Sequence, residues 1–297
     1  MESNERFQDM NKNLKPIIFI GMPVYNSEKT IRATLESIIA QDYNDWQLLI
    51  SDNYSLDKTR EICEEFVLRD KRVTFIQQNL NIGAWNNFIY VLQNSRGPYF
   101  KFQAADDVLS VNYLNENIHA LEMDSSLIGS TSPDCWDWEY QERLSPVNFE
   151  LKGSQRLRLK TLRKNCWRSN GIFYAIYRKT DLEKVITDEI FSSHIAILDW
   201  LILARLTKLG NINRHKSGLM ILGSSGASNS ADLTWLNQLI GLRRKLMPYS
   251  GFYSLIKRNC VPLKFLSKIE IMQWIFALQI NHFKGLLALT LNLKRNP

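Results

Sequence analysis

Short apolar runs alternate with amphipathic stretches through the first hundred residues, a pattern that predicts βα units feeding a mostly parallel sheet. The run Ile17–Met22 is continuously apolar, as suits a strand buried on both faces, and Pro23 is expected to end it. Ser27 is placed to cap a helix in which Ile31, Leu35, Ile38 and Ile39 recur at helical spacing. Trp46–Ile50 predicts a second strand closing at Ser51 and Asp52, and Ser55 the cap of a helix that buries Ile62, Cys63 and Phe66. A third strand is expected over Val73–Ile76, a helix over Ala84–Gln93, and a strand over Tyr99–Phe102 that runs into Ala104-Ala105-Asp106-Asp107.

The second half is less regular. It predicts a strand over Ile172–Tyr177, a helix over Thr180–Ile186 and an amphipathic helix from Asp199 to Lys208 that ends at Gly210. The glycine- and serine-rich stretch Gly223–Ser230 reads as a lid or a hinge. The layout expected is a polar segment over 1–15, an α/β domain over 16–230 and a basic, amphipathic helical region over 231–297.

Polar residues recur just past the carboxyl ends of the predicted strands, where open α/β sheets bind ligands. Tyr25, Asn26, Asp52, Asn53, Asn81, Asp106 and Asp107 therefore belong to one rim. No GxGxxG follows a strand and no GxxxxGK[ST] loop is present, so phosphate must be held in another way. Adjacent carboxylates such as Asp106 and Asp107 repel each other unless a cation or water screens them. All-oxygen ligation favours magnesium or manganese over zinc, the alternative being a solvated acidic turn.

Composition narrows the picture. An apolar share of 45% and a charged share of 23% are those of a soluble globular chain. Cys63, Cys135, Cys166 and Cys260 are scattered, which argues against a zinc site or a disulfide framework. The polar start lacks the apolar run of a secretory signal, so a cytoplasmic location is expected. The net charge of +7 lies in the tail, where from Trp235 onward Glu270 is the sole acid among many lysines and arginines. Interleaved aromatic and aliphatic residues there fit a peripheral anchor on the anionic cytoplasmic face of a membrane, or helices that cover the domain or a dimer partner. No nucleic-acid motif accompanies the charge.

The run from Ile17 to Asn26, then Leu35-Glu36-Ser37-Ile38, Gln41-Asp42-Tyr43, Ser51 to Thr59, Asn81-Ile82-Gly83 and the Asp106-Asp107 turn resembles, in content and order, the start of the inverting family 2 glycosyltransferases. The resemblance covers roughly residues 15 to 110 and continues more weakly to about residue 220. It implies the GT-A fold, a Rossmann-like three-layer α/β/α sandwich, here with a helical C-terminal extension. It implies that Pro23, Tyr25 and Asp52 cradle the nucleotide base and ribose, that Asp106 serves the ribose or the metal, and that Asp107 ligates a divalent ion, Mn2+ or Mg2+, which bridges the donor diphosphate. Asp199, in Leu198-Asp199-Trp200-Leu201, matches the family's base-bearing segment and is the expected general base, with His194 as competitor.

The chain departs from the family pattern at Ala104 and Ala105, at Asn53, and at Leu198, where a Glu is usual. The function expected is transfer of a sugar from a nucleoside-diphosphate sugar to a saccharide or lipid-linked saccharide acceptor with inversion, in surface polysaccharide or glycolipid synthesis. A non-catalytic nucleotide-sugar binding or scaffold protein of the same fold is the alternative. A nucleotidyltransferase would need a glycine-rich basic loop after the first strand, and Pro23 to Lys29 is not one. His215 is a candidate contact to the diphosphate, and Trp136, Trp138 and Trp167 are candidates for sugar stacking or core packing.

Overall fold

The computed structural model describes residues 18–142, 146–166, 169–187 and 198–223, together with Gln273 and Phe276. The first half alternates strand and helix: β1 (Ile18–Val24), α1 (Ile31–Ile39), β2 (Trp46–Asp52), α2 (Thr59–Arg69), β3 (Val73–Gln77), α3 (Ala84–Gln93) and β4 (Tyr99–Phe102). There follow β5 (Val108–Leu109), α4 (Tyr113–Met123), β6 (Leu127–Thr131), β7 (Asp134–Trp136), α5 (Asp137–Gln141) and α6 (Gln155–Asn165). The described part closes with β8 (Ile176–Arg178), α7 (Lys179–Val185), α8 (Leu198–Leu206), β9 (Asn211–Arg214) and β10 (Met220–Leu222).

Among the described residues the main sheet runs in the order β3-β2-β1-β4-β8-β6-β9, and a small sheet in the order β5-β10-β7. Strands β1 to β4 are mutually parallel, while β8 lies antiparallel to both β4 and β6. Alternation along β1 divides the core in two. Phe19 joins Leu49, Val91, Leu92, Phe100 and residues of α6 to α8 on one face, whereas Ile18, Ile20 and Met22 join Leu35, Ile38, Phe66 and Leu114 on the other. Helices thus cover both faces, giving the three-layer arrangement expected. Gly21 is needed where α3 lies against β1, because a methyl group there would come within 2.7 Å of Phe100 and Val91.

Several local expectations change. Strand β1 continues through Pro23 to Val24 and pairs only with β2 at that point, since β4 is left behind at Gly21. A proline that loses no ladder bond on its open side does not break a strand. Ser27 contributes its backbone carbonyl to Thr30 and Ile31, and its hydroxyl turns to Tyr25 O. Ser55 serves Asp52 instead of a helix, and Asp57 takes the capping role by accepting from Thr59 N and Glu28 N at 3.0 Å each. The segment 171–174 is a turn, so only Ile176–Arg178 forms the predicted strand there. No helix among the described residues is long and apolar enough to cross a membrane. His194, the 1–15 segment and nearly all of the basic tail lie outside the described residues.

Candidate active site

The parallel register puts the polar ends of β1 and β2 side by side. Pro23 pairs with Ser51 and Val24 with Asp52, and Asn53 N donates to Val24 O at 2.9 Å. Asp52 is fully buried. Its carboxylate accepts from Ser55 N at 3.1 Å, from the Ser55 hydroxyl and from Gln77 Nε2 at 2.9 Å, so it organises the loop that follows β2. Asn53 Nδ2 donates to Asn81 Oδ1 at 2.9 Å while its own oxygen accepts from Ile82 N at 2.8 Å, which ties the loop after β3 to the same rim. Tyr25 stands at this rim, half exposed.

The Asp106-Asp107 turn follows β4, the other neighbour of β1, and Gln103 N continues the ladder to Gly21 O at 2.9 Å. Gln103 Nε2 donates to Asp107 O at 3.0 Å and fixes the turn. Asp107 is buried: its Oδ1 accepts from Gly223 N at 3.0 Å, and its Oδ2 is sealed from solvent with no hydrogen-bond partner among the described residues. Burial, and next the charge of Asp106, push its carboxyl well above the usual range. An orphaned, buried carboxylate oxygen beside a second carboxylate is the environment a hard cation relieves. Among the described residues no group of three or more His, Cys, Asp or Glu forms a metal cluster.

Two residues the sequence reading passed over complete the surroundings. Lys101, within β4, is fully buried, and its Nζ donates to Phe102 O at 3.0 Å and Tyr174 O at 2.8 Å. Burial lowers its ammonium, and Asp107 opposes that shift. A lone lysine in an otherwise apolar buried strand was the available signal. Asn170 is the second: its Nδ2 donates to Asp199 Oδ2 at 2.6 Å. Asp199 lies in the first turn of α8, also accepts from Trp200 N at 2.8 Å, and has its carboxyl raised by burial to about 6.

The turn 171–174 joins these parts. Tyr174 O receives Lys101, and the Tyr174 phenol is pushed far above its ordinary range by burial and then by the charges of Asp107, Asp106 and Asp199. The Tyr174 phenol thus feels charge from both the Asp106-Asp107 turn and Asp199, which arise from two distant segments. Beneath the turn, Arg214 and Asp134 form a buried ion pair, and a methyl group on Gly171 would overlap the Asp134 carboxylate. His215 turns its Nδ1 towards Ser217 N at 3.2 Å and the Glu116 carboxylate at 3.4 Å. Trp136 packs, half-buried, against the α1–α2 side of the core. The side chains of Trp138 and Trp167 lie outside the described residues.

Comparison with known proteins agrees with this fold. The structure of S. aureus TarS 1-349 in complex with UDP superposes with a TM-score of 0.57 at 14% identity, covering 94% of this chain and 93% of that one. The mannosyltransferase PcManGT from Pyrobaculum calidifontis in complex with GDP-Man and Mn2+ gives a TM-score of 0.58 at 13% identity, covering 100% of this chain and 82% of that one. Both share the fold. In sequence, the Escherichia coli UDP-Glc:alpha-D-GlcNAc-diphosphoundecaprenol beta-1,3-glucosyltransferase WfgD is 33% identical over 102 residues, 34% of this chain and 40% of that protein. The chain spans 40% or less of the length of the first curated relatives it matches. The family model for glycosyl transferase family 2 matches residues 19–186, more than half of the chain, and the protein belongs to that family.

Proposed function

We propose that the protein transfers a sugar from a nucleoside-diphosphate sugar to a hydroxyl of a saccharide or lipid-linked saccharide acceptor, with inversion at the anomeric carbon. The observation that carries this reading is the buried Asp107 carboxylate just past β4, beside Asp106, with its Oδ2 lacking a hydrogen-bond partner among the described residues. Pro23, Tyr25 and Asp52 hold the base and ribose end of the donor, and Asp106 reaches the ribose or shares the metal. Asp107, helped by Asp106, would hold Mn2+ or Mg2+. When bound there, the ion supplies charge neutralisation to the departing diphosphate.

Asp199 accepts the proton of the attacking hydroxyl. A carboxyl near 6 is ionised at neutral pH yet more basic than an exposed aspartate, which suits a general base. Asn170 holds Oδ2 and the Trp200 N–H holds Oδ1, which fixes the carboxylate at the first turn of α8. A single displacement accounts for inversion, and no covalent sugar intermediate forms. The WfgD relative, named for a diphosphoundecaprenol-linked acceptor, supports a lipid-linked acceptor, and the basic, aromatic-rich sequence over 235–297 supports action at an anionic membrane surface.

The test is nucleotide release from a panel of UDP- and GDP-sugars with Mn2+, for the wild type, Asp107→Ala and Asp199→Asn. Loss of turnover in both variants, with weakened metal-dependent nucleotide binding only in Asp107→Ala, supports the roles given. Unchanged turnover in either variant overturns the corresponding assignment. Nucleotide-sugar binding without turnover by the wild type would turn the reading towards a scaffold of the same fold.

A further inference from the structure

Tyr54 lies in the loop beyond β2 with φ of +65°, a left-handed conformation that glycine or asparagine adopts readily and a bulky side chain seldom does. The loop fixes it there through its neighbours. Asn53 is bonded to Val24, Asn81 and Ile82, and Ser55 to Asp52. The Tyr54 side chain plays no part in that bonding: it is 47% exposed and makes no hydrogen bond or ring contact with any described residue. An aromatic side chain held in a costly backbone conformation and turned to solvent points to a use outside the fold.

Its surroundings indicate that use. Tyr25, 46% exposed, follows Val24, the register partner of Asp52. Asn26, itself at φ +47°, donates from N to Ser55 Oγ at 2.8 Å and accepts from Leu56 N at 2.9 Å, so the two tyrosine-bearing loops are stitched together. The tyrosines rise from adjacent strand ends, and adjacent strands stand about 4.8 Å apart. Tyr54 follows Asp52 by two positions and Tyr25 follows its register partner Val24, so both tyrosines leave the strand ends beside the residue proposed to meet the donor nucleotide.

We infer that Tyr54 is a nucleobase-stacking residue, a second aromatic face that acts with Tyr25 on the base of the donor. The inference rests on the donor-site reading above. Stacking uses the ring face and not the hydroxyl, and it tolerates different bases because each presents a π-face. Tyr54 would thereby set the affinity for the nucleotide without touching the reacting atoms.

Calorimetric titration of the full chain with UDP, and separately with GDP, in the presence of Mn2+ tests this in wild type, Tyr54→Phe and Tyr54→Gly, with Tm measured alongside. Tyr54→Phe should bind within about twofold of wild type, and Tyr54→Gly about tenfold more weakly, the loss of one base–aromatic stack. Tyr54→Gly should melt no lower than wild type, because glycine relaxes the left-handed backbone. Unchanged affinity in Tyr54→Gly while the wild type binds nucleotide overturns this inference alone, as does a fall in Tm that accompanies the fall in affinity, since that assigns the ring to packing. A wild type that binds neither nucleotide overturns the donor-site reading and this inference together.

Discussion

Asn170 Nδ2 donates to Asp199 Oδ2 at 2.6 Å, a bond between the residue that opens the 171–174 turn and the first turn of α8. Burial raises the Asp199 carboxyl, whereas the Trp200 N–H and the Asn170 amide favour its ionised form. A residue 29 positions away thus helps to hold the proposed base and, after burial and the Trp200 N–H, to set its basicity.

The pH profile follows from that balance. Asp199 must be ionised to accept a proton, so turnover should rise with pH through about 6 and level off above it. Asn170→Ala removes a donor that stabilises the carboxylate, and a hydrogen bond to a charged group contributes roughly 1.5–3 kcal/mol, so the acidic limb should move up by about one pH unit or more. A kcat–pH profile checks this. A lowered kcat with an unmoved limb would confine Asn170 to a packing role.

Asp199 also links activity to stability. Burial raises its carboxyl in the folded protein to about 6, above the ordinary aspartate value of 3.8, so the folded protein holds the proton more tightly between these values and stability falls as pH rises through the window. Asp199→Asn should therefore raise Tm at pH 8 while abolishing turnover. The gain should shrink below pH 4, where the carboxyl is neutral in both states. Thermal melts at pH 3.5 and pH 8 measure it, and an equal or lower Tm at pH 8 would argue against burial as the dominant influence.

Much of the sheet was legible because its strands are buried on both faces and its helices carry clear apolar stripes. Ala84–Gln93 and Tyr99–Phe102 have the predicted bounds, and the strand-end polar residues share the predicted rim. Local rules failed where tertiary partners took over. Ser27 and Ser55 have the side chains of helix caps, but Asp57 reaches both chain segments and Ser55 is claimed by Asp52. Asn170 gave no signal and Gly223 stood out only as the start of a glycine- and serine-rich stretch, since their roles come from contacts with Asp199 and Asp107 that are 29 and 116 positions away. The Asp106-Asp107 turn was recognisable as a pair, but its burial depended on a segment far along the chain.

The Arg214–Asp134 ion pair should be a structural support for the turn that carries Asn170. The guanidinium also donates to Phe149 O at 2.7 Å, Ser132 O at 3.0 Å and Val147 O at 3.2 Å, and both side chains are almost wholly buried. Removing one partner leaves an uncompensated buried charge, so Arg214→Met should cost about 3–5 kcal/mol in urea unfolding. Arg214→Met combined with Asp134→Asn should recover part of that loss, because the stranded carboxylate is gone. Two losses that simply added would show the residues to be energetically independent.

Gly223 offers a way to disturb the proposed donor site without altering a carboxylate. Its N–H holds Asp107 Oδ1 at 3.0 Å, and a methyl group on its Cα would overlap the Asp106 carbonyl and lie within 2.6 Å of the Asp106 side chain. The obstruction is backbone as well as side chain, so rotamer change alone cannot relieve it and either the turn or the strand end must move. A carboxylate pair serves a cation only while its oxygens stay about 2.0–2.6 Å from it, so displacement of even an ångström weakens the site. Gly223→Ala should therefore weaken Mn2+-dependent UDP binding about tenfold or more, on the scale of the loss that follows when groups supporting a metal site are displaced. Metal-independent binding of uridine, which by the proposed assignment uses only the Tyr25 and Asp52 end, should change little. Calorimetry with UDP and with uridine separates the two: equal losses for both ligands would place the damage in the nucleotide pocket as a whole and not at the Asp106-Asp107 turn.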